Sequence, residues 1–142
     1  MPSSTDPAPV RVPTANNAVL LAALAAVADA ILILAFAAIG RDAHQRGDVI
    51  TGVLSTAWPF LTGAAIAWLA VRVWQRPLRI WPEGVAVWLG AVALGMALRA
   101  VTGQTVVLPF IIVATLSLGV FLVGYRLIVA AAGRLKGRRQ LR

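Results

Sequence analysis

Residues 18–39 read AVLLAALAAVADAILILAFAAI, an apolar run of 22 residues in which the one charged residue is Asp29. A helix needs about 20 apolar residues to cross the hydrocarbon core of a bilayer, so this run is long enough to span it. A carboxylate near the middle of such a span costs roughly 2.5 kcal/mol or more to place there. The run therefore predicts a transmembrane helix, and Asp29 is the first candidate for a functional residue.

The composition of the whole chain agrees with a membrane protein. Of its 142 residues 60% are hydrophobic and 13% are charged, with a mean hydropathy of +0.85, whereas soluble domains average about 25% charged residues. The absence of cysteine excludes disulfides, thiolate metal sites and cysteine nucleophiles. A net charge of +8 would by itself suggest a protein that binds nucleic acid. However, the basic residues lie between and after the apolar runs and leave no soluble basic surface to bind it, so we expect no nucleic-acid partner.

Four apolar segments follow one another along the chain, separated by short gaps. The predicted spans are Ala18–Ile39, Val49–Val71, Gly84–Val101 and Val106–Ala130. Short gaps make consecutive helices antiparallel neighbours. The sequence therefore predicts an all-α polytopic membrane protein with four transmembrane helices in two antiparallel hairpins.

The ends of the chain differ in composition from the apolar segments. Residues 1–17 are rich in Pro, Ser, Thr and Asn and predict a disordered N-tail. Residues 18–132 form the predicted transmembrane domain, and residues 133–142 form a basic C-tail. The length of the first run, its Asp29 and the lone Arg11 before it argue against a cleaved signal peptide.

The distribution of Lys and Arg predicts the orientation. With four spans, ten of the basic residues lie on the side of both termini and three on the other, namely Arg41, Arg46 and Arg99. Cytoplasmic loops carry the excess of positive charge. We therefore predict a multi-pass plasma-membrane protein with cytoplasmic N and C termini, whose basic C-tail contacts anionic lipids.

The two hairpins share a pattern that suggests a parallel internal repeat. The first and third spans end in Arg41 and Arg99, and the second and fourth begin with the Pro-Phe pairs 59–60 and 109–110. Chance similarity between apolar segments is the alternative, so the repeat is a hypothesis. We expect both prolines in the first turn of their helices, where proline loses no hydrogen bond. The alternative is that both kink their helices and frame an outward vestibule.

Three short motifs carry a resemblance to a known family: Gly40-Arg41-x-x-His44, Thr56 before Pro59-Phe60, and Arg99 followed by Pro109-Phe110. Together they resemble a small four-helix membrane family of GC-rich bacteria that is known as a domain of unknown function. The resemblance covers roughly residues 28–128. It implies an integral membrane protein and supplies no activity, substrate or cofactor.

Asp29 has predicted neighbours in the other spans. When the midpoint of each span is placed at the middle of the bilayer, three hydroxyl side chains share its depth and one arginine lies above it, namely Thr62, Thr115, Ser117 and Arg99. Hydroxyl groups can donate hydrogen bonds to a carboxyl group. One interpretation is a coupling site that gains and loses a proton. The other is a structural acid, protonated and hydrogen-bonded, that holds helices together.

The turn after the first span forms a second polar cluster, with Arg41, Asp42 and His44. Asp42, His44 and Asp48 carry atoms that can bind a divalent metal, but their spacing matches no dependable metal motif. His44 is the one histidine of the chain. We therefore predict a solvated turn with Arg41 facing lipid phosphates, and neither a metal site nor a cofactor.

Two functions fit these features. The chain lacks a nucleophile–base pair, a phosphate-binding glycine loop and a carboxylate pair within one span, so we predict no enzyme. An accessory or interaction subunit, packed against a larger complex in the plasma membrane, ranks first. The alternative is a homo-oligomeric proton-coupled small-molecule transporter or channel, in which Asp29 of each copy lies near a shared axis.

Overall fold

Four long helices make up the structure, a computed structural model that describes residues 14–42 and 48–142. The helices are α1 (Ala15–Asp42), α2 (Val49–Ala70), α3 (Val85–Val101) and α4 (Leu108–Gln140). A short helical turn at Val73–Gln75 and a wide turn at Ile80–Gly84 connect α2 to α3. Each long helix is apolar and long enough to cross a membrane, α3 together with its wide turn. The predicted all-helical fold with four candidate spans is confirmed.

The first and last helices are longer than predicted. α1 begins at Ala15, within the segment predicted as a disordered tail, and α4 continues to Gln140 through most of the predicted C-tail. Lys, Arg and Gln favour helix, and basic residues near a helix C-terminus interact favourably with the helix dipole, so α4 extends beyond its apolar part. The disorder predicted for residues 1–13 lies outside the described residues.

Consecutive helices run antiparallel. Phe36 of α1 packs edge-on against Phe60 of α2, with ring centroids 5.5 Å apart, and the indole of Trp88 in α3 donates a 2.9 Å hydrogen bond to the carbonyl of Thr115 in α4. The connection 71–79 and the C-terminal part of α4 lie at one end of the bundle, which we call the basic end. The start of α2 and the turn 102–107 lie at the other, which we call the cavity end.

Glycines let α2 and α3 approach closely. A Cβ atom on Gly63 would lie 2.5 Å from the carbonyl oxygen of Gly90, and a Cβ on Gly90 would lie 2.6 Å from the Cβ of Ala67. Neither distance is sterically permitted, so a side chain at either position would separate the helices. Small residues commonly allow such backbone contact between membrane helices.

The two Pro-Phe pairs occupy different places in their helices. Pro109 lies in the first turn of α4, as predicted. Pro59 is buried within α2, ten residues after Val49, so its predicted first-turn position is wrong. Because proline has no N–H, the carbonyl of Ser55 has no donor in the next turn. Phe60 and Phe110 nevertheless meet, with ring centroids 6.2 Å apart.

Candidate functional site: a buried ion pair between α1 and α4

The carboxylate of Asp29 accepts four hydrogen bonds from two other helices. Arg126 of α4 binds it with both terminal nitrogens, Nη1 to Oδ1 at 2.8 Å and Nη2 to Oδ2 at 2.8 Å. The neighbouring Tyr125 hydroxyl donates to Oδ1 at 3.0 Å, and the indole N–H of Trp68 in α2 donates to Oδ2 at 2.9 Å. Three helices therefore meet at one carboxylate.

Arg126 is held on its other side by backbone carbonyls. Its Nε donates to the carbonyl of Pro77 in the connection 71–79 at 3.1 Å, and its Nη1 also donates to the carbonyl of Leu122 at 2.7 Å. Its guanidinium carbon lies 4.7 Å from the centroid of the Tyr125 ring. Arg126 is 0% exposed and Asp29 is 3% exposed. The pair is thus buried, and it ties the basic end of the bundle to α1.

The hydrogen bonds around the Asp29–Arg126 pair offset the cost of burying its two charges. Taking two charges out of water is costly, and the attraction between them repays that cost only when further hydrogen bonds satisfy the remaining donors and acceptors. A bidentate Arg–carboxylate contact is among the strongest charge-assisted arrangements. Trp68, Tyr125 and Pro77 supply the further hydrogen bonds. The charge of Asp29 is therefore matched within the chain.

The residues predicted to neighbour Asp29 do not bond to it. The hydroxyl of Thr62 donates to the carbonyl of Trp58 at 2.8 Å, and that of Thr115 donates to the carbonyl of Ile111 at 2.7 Å. Each is a bond back to its own helix, four residues earlier, which is common for Thr in a helix. Ser117 is not a partner of Asp29 either, and Arg99 binds groups at the cavity end.

Sequence reasoning missed Arg126 because it counted this arginine among the basic residues at the membrane surface. Arg126 lies inside the fourth predicted apolar segment, Val106–Ala130. Charged residues within spans commonly pair with one another. The rule that intramembrane charges pair would have made Arg126 a candidate partner of Asp29, beside Arg99 of the third predicted span, without choosing between them.

The second polar cluster is described in part. Arg41 is partly buried and lines a cavity at the cavity end of the bundle. His44 and the side chain of Asp42 lie outside the described residues. Within residues 14–41 and 48–142, no three His, Asp or Glu side chains form a group that could hold a metal ion.

An apolar groove of about 380 Å³ opens beside the ion pair, between α1 and α2. Four alanines line it, Ala26 and Ala30 of α1 and Ala64 and Ala65 of α2, together with larger apolar side chains such as Ile33, Leu61 and Leu69. Asp29 and Trp68 also line it. The groove therefore exposes an apolar surface next to a carboxylate whose hydrogen-bonding capacity is already used.

The fold and the site can be compared with known proteins. A family model described as "Protein of unknown function (DUF3054)" matches residues 26–129. No curated protein and no solved structure matches the chain. The matched segment includes the ion pair and most of the four helices, so the chain belongs to this DUF3054 family.

Proposed function

We propose that this protein is a non-enzymatic accessory subunit of the plasma membrane, which packs against a larger membrane protein. The observation that carries the proposal is the state of Asp29. Its carboxylate accepts four hydrogen bonds and faces the guanidinium of Arg126 at 2.8 Å. These contacts support a structural role for Asp29, as a carboxylate paired with an arginine rather than as the protonated acid expected from the sequence.

A proton-coupled transporter is the second candidate, and it has one observation in its favour. Asp29 lines the groove between α1 and α2, so a ligand in the groove would lie beside it. To carry a proton, however, the carboxylate would have to release a bidentate arginine that is completely buried. Breaking such a pair leaves an unpaired buried charge at a cost of about 3–5 kcal/mol. The accessory role needs no such step.

The groove between α1 and α2 is the contact that we propose for the partner. Its alanines, Ala26, Ala30, Ala64 and Ala65, would admit the side chains of an apolar transmembrane helix to close contact. Without a hydrophobic driving force between helices in lipid, close packing of this kind is what associates them. A lipid chain and a second copy of this chain are the competing occupants.

The proposed orientation places both termini in the cytoplasm. Since Arg126 is buried with Asp29, it no longer counts as a surface charge, which changes the predicted distribution of basic residues to nine on the side of both termini against three on the other. The 33 residues of α4 extend about 50 Å, well beyond a hydrocarbon core of about 30 Å. Its last turns, with Arg134, Lys136, Arg138 and Arg139, would lie along the anionic inner leaflet.

Filling the groove tests the accessory role. Membranes from cells expressing the protein at native level are solubilised in a mild detergent, and the size of the complex is measured by native electrophoresis. We expect the wild-type protein to migrate in a complex larger than a homodimer. The Ala65→Trp variant should migrate as the free protein, because its indole fills the groove and excludes the partner. Val120→Trp, on an exposed face of α4, serves as the control and should leave the complex intact.

Proton flux in proteoliposomes tests the alternative. The double variant Asp29→Asn/Arg126→Gln removes both charges and leaves no unpaired ion, so it should fold without a carboxylate at this position. We expect no difference in flux between this variant and the wild type. If the wild type purifies as a homodimer that conducts protons, and the double variant does not conduct them, the accessory role is wrong and the transporter is supported.

A further inference from the structure

A polar cavity of about 620 Å³ lies at the cavity end of the bundle, far from the groove and the ion pair. It lies between the end of α1, the first two turns of α2 and the turn 102–107. Two arginines line it, Arg41 of α1 and Arg99 of α3, together with one acidic residue, Asp48. Asp48 caps α2, because its Oδ1 accepts a 3.4 Å hydrogen bond from the backbone N–H of Ile50, and its Oδ2 accepts a 2.8 Å hydrogen bond from the hydroxyl of Thr51.

Arg99 is held in place by neutral groups. Its Nη1 donates to the side-chain oxygen of Gln104 at 2.7 Å, and its Nη2 donates to the carbonyl of Thr105 at 3.1 Å. Its guanidinium carbon lies 4.6 Å from the centroid of the Phe110 ring. These contacts orient the guanidinium but do not neutralise it.

The two buried arginines of the described structure differ in their counter-ions. Arg126 has the carboxylate of Asp29, whereas Arg99, which is 9% exposed, forms no salt bridge within residues 14–41 and 48–142. Its Nε is also buried without an acceptor in that part of the chain. A guanidinium has five N–H donors. Two of those of Arg99 are used and its Nε–H is enclosed, which leaves two on the terminal nitrogens for another group. Within the described residues the charge of Arg99 is thus unmatched, and because a buried unmatched charge is costly, an anion bound in the cavity would stabilise it.

Arg41 lines the same cavity from the end of α1. Its guanidinium lies over Gly52 of α2, in the space that a Cβ atom at this position would occupy. Glycine at residue 52 therefore lets the Arg41 side chain lie against α2, where it lines the same cavity as Arg99. Two guanidinium groups that line one cavity can together bind a group with several anionic oxygens.

We propose that this cavity binds a phosphate group through Arg41 and Arg99. Phosphate matches the planar guanidinium fork, and its charge supplies the counter-ion that Arg99 lacks within the described chain. The volume of the cavity exceeds that of a phosphate ion, so it also admits a phosphate ester. The phosphate belongs either to the headgroup of an anionic lipid or to a soluble phosphate compound, and both sources share this chemistry.

The test measures ligand-induced stabilisation of the full-length protein. In an uncharged detergent, inorganic phosphate and glycerol phosphate are titrated at constant ionic strength; in a second arm, nanodiscs of phosphatidylglycerol are compared with nanodiscs of phosphatidylcholine. A ligand that binds the folded state raises the unfolding temperature in proportion to its concentration over its Kd. Stabilisation by the soluble compounds identifies a soluble ligand, and stabilisation by phosphatidylglycerol alone identifies a lipid.

Two variants and two controls make the test specific. Arg41→Gln should weaken binding about 10-fold or more, and Gly52→Ala, which keeps every charge but displaces the Arg41 guanidinium, should also weaken it. In the soluble arm, Arg134→Gln removes the same charge at the basic end and should bind like the wild type. In both arms, Gly124→Ala adds the same methyl group where nothing lies within 4 Å and should also bind like the wild type. Loss of soluble-phosphate binding in Arg134→Gln equal to that in Arg41→Gln, loss in Gly124→Ala equal to that in Gly52→Ala, or no stabilisation in either arm, would overturn the proposal.

Discussion

At the residue scale, the placement of Asp29 turns an isolated charge into one half of a matched pair. An aspartate alone in an apolar span is a candidate for function by default. With Arg126 against both of its oxygens and Trp68 and Tyr125 completing its shell, the same residue is explained by structure. Arg99, which the sequence predicted to lie above Asp29, instead lines a separate cavity. The unmatched charge within the described bundle is thus the arginine rather than the aspartate.

The pair predicts a strong energetic coupling between Asp29 and Arg126. Asp29→Asn leaves the buried guanidinium unpaired and should destabilise the protein by about 3–5 kcal/mol, as should Arg126→Gln for the carboxylate. The loss in free energy of unfolding of the double variant should be much smaller than the sum of the losses of the two single variants. Thermal unfolding in detergent measures all three, with Thr62→Val as a neutral control whose hydroxyl bonds only its own helix in the described structure. Additive losses would contradict the pairing.

At the element scale, the contact between α2 and α3 depends on glycine. The small residues of these two spans are readable in the sequence, but in an alanine-rich chain many faces look equally suitable for close packing. The structure selects one of them, because Gly63 faces the backbone of Gly90 at a distance that excludes a Cβ atom. The position of Pro59 inside α2, by contrast, could have been read from the sequence, because the predicted span and the observed helix both begin at Val49, ten residues before it.

Substitution of Gly63 should therefore separate α2 from α3. Gly63→Leu places a large side chain against the backbone of α3, and overpacking of this kind costs about 1–3 kcal/mol. Gly124→Leu, on a face of α4 with nothing within 4 Å, should change stability by less than about 0.5 kcal/mol. The comparison is made by thermal unfolding of the purified variants. Equal stability of the two would mean that α2 and α3 are not in close contact.

At the scale of the whole molecule, the two ends of the bundle differ in charge and in construction. The basic end combines the connection 71–79, the ion pair and the basic turns of α4. The cavity end carries two arginines around an open polar space. The parallel internal repeat stays a prediction, although Arg41 and Arg99, which match one another in it, line the same cavity.

The asymmetry of charge predicts the topology. A green fluorescent protein fused after Arg142 should fluoresce, and alkaline phosphatase at the same position should be inactive, because we place the C terminus in the cytoplasm. Insertion after Gln75, in the connection at the same end, should give the same result. Insertion after Gly103, at the cavity end, should give the opposite result. Phosphatase activity at Arg142 would reverse the orientation.

The sequence by itself determined the class of this protein, because length and hydropathy are local properties. Twenty or so apolar residues form a helix that spans a bilayer whatever they pack against, so four spans could be counted and the family recognised. The tertiary structure alone decided which side chains meet. Asp29 and Arg126 are 97 residues apart, and their contact depends on the relative depth and rotation of α1 and α4. Those are set by packing among all the helices, which no single segment encodes.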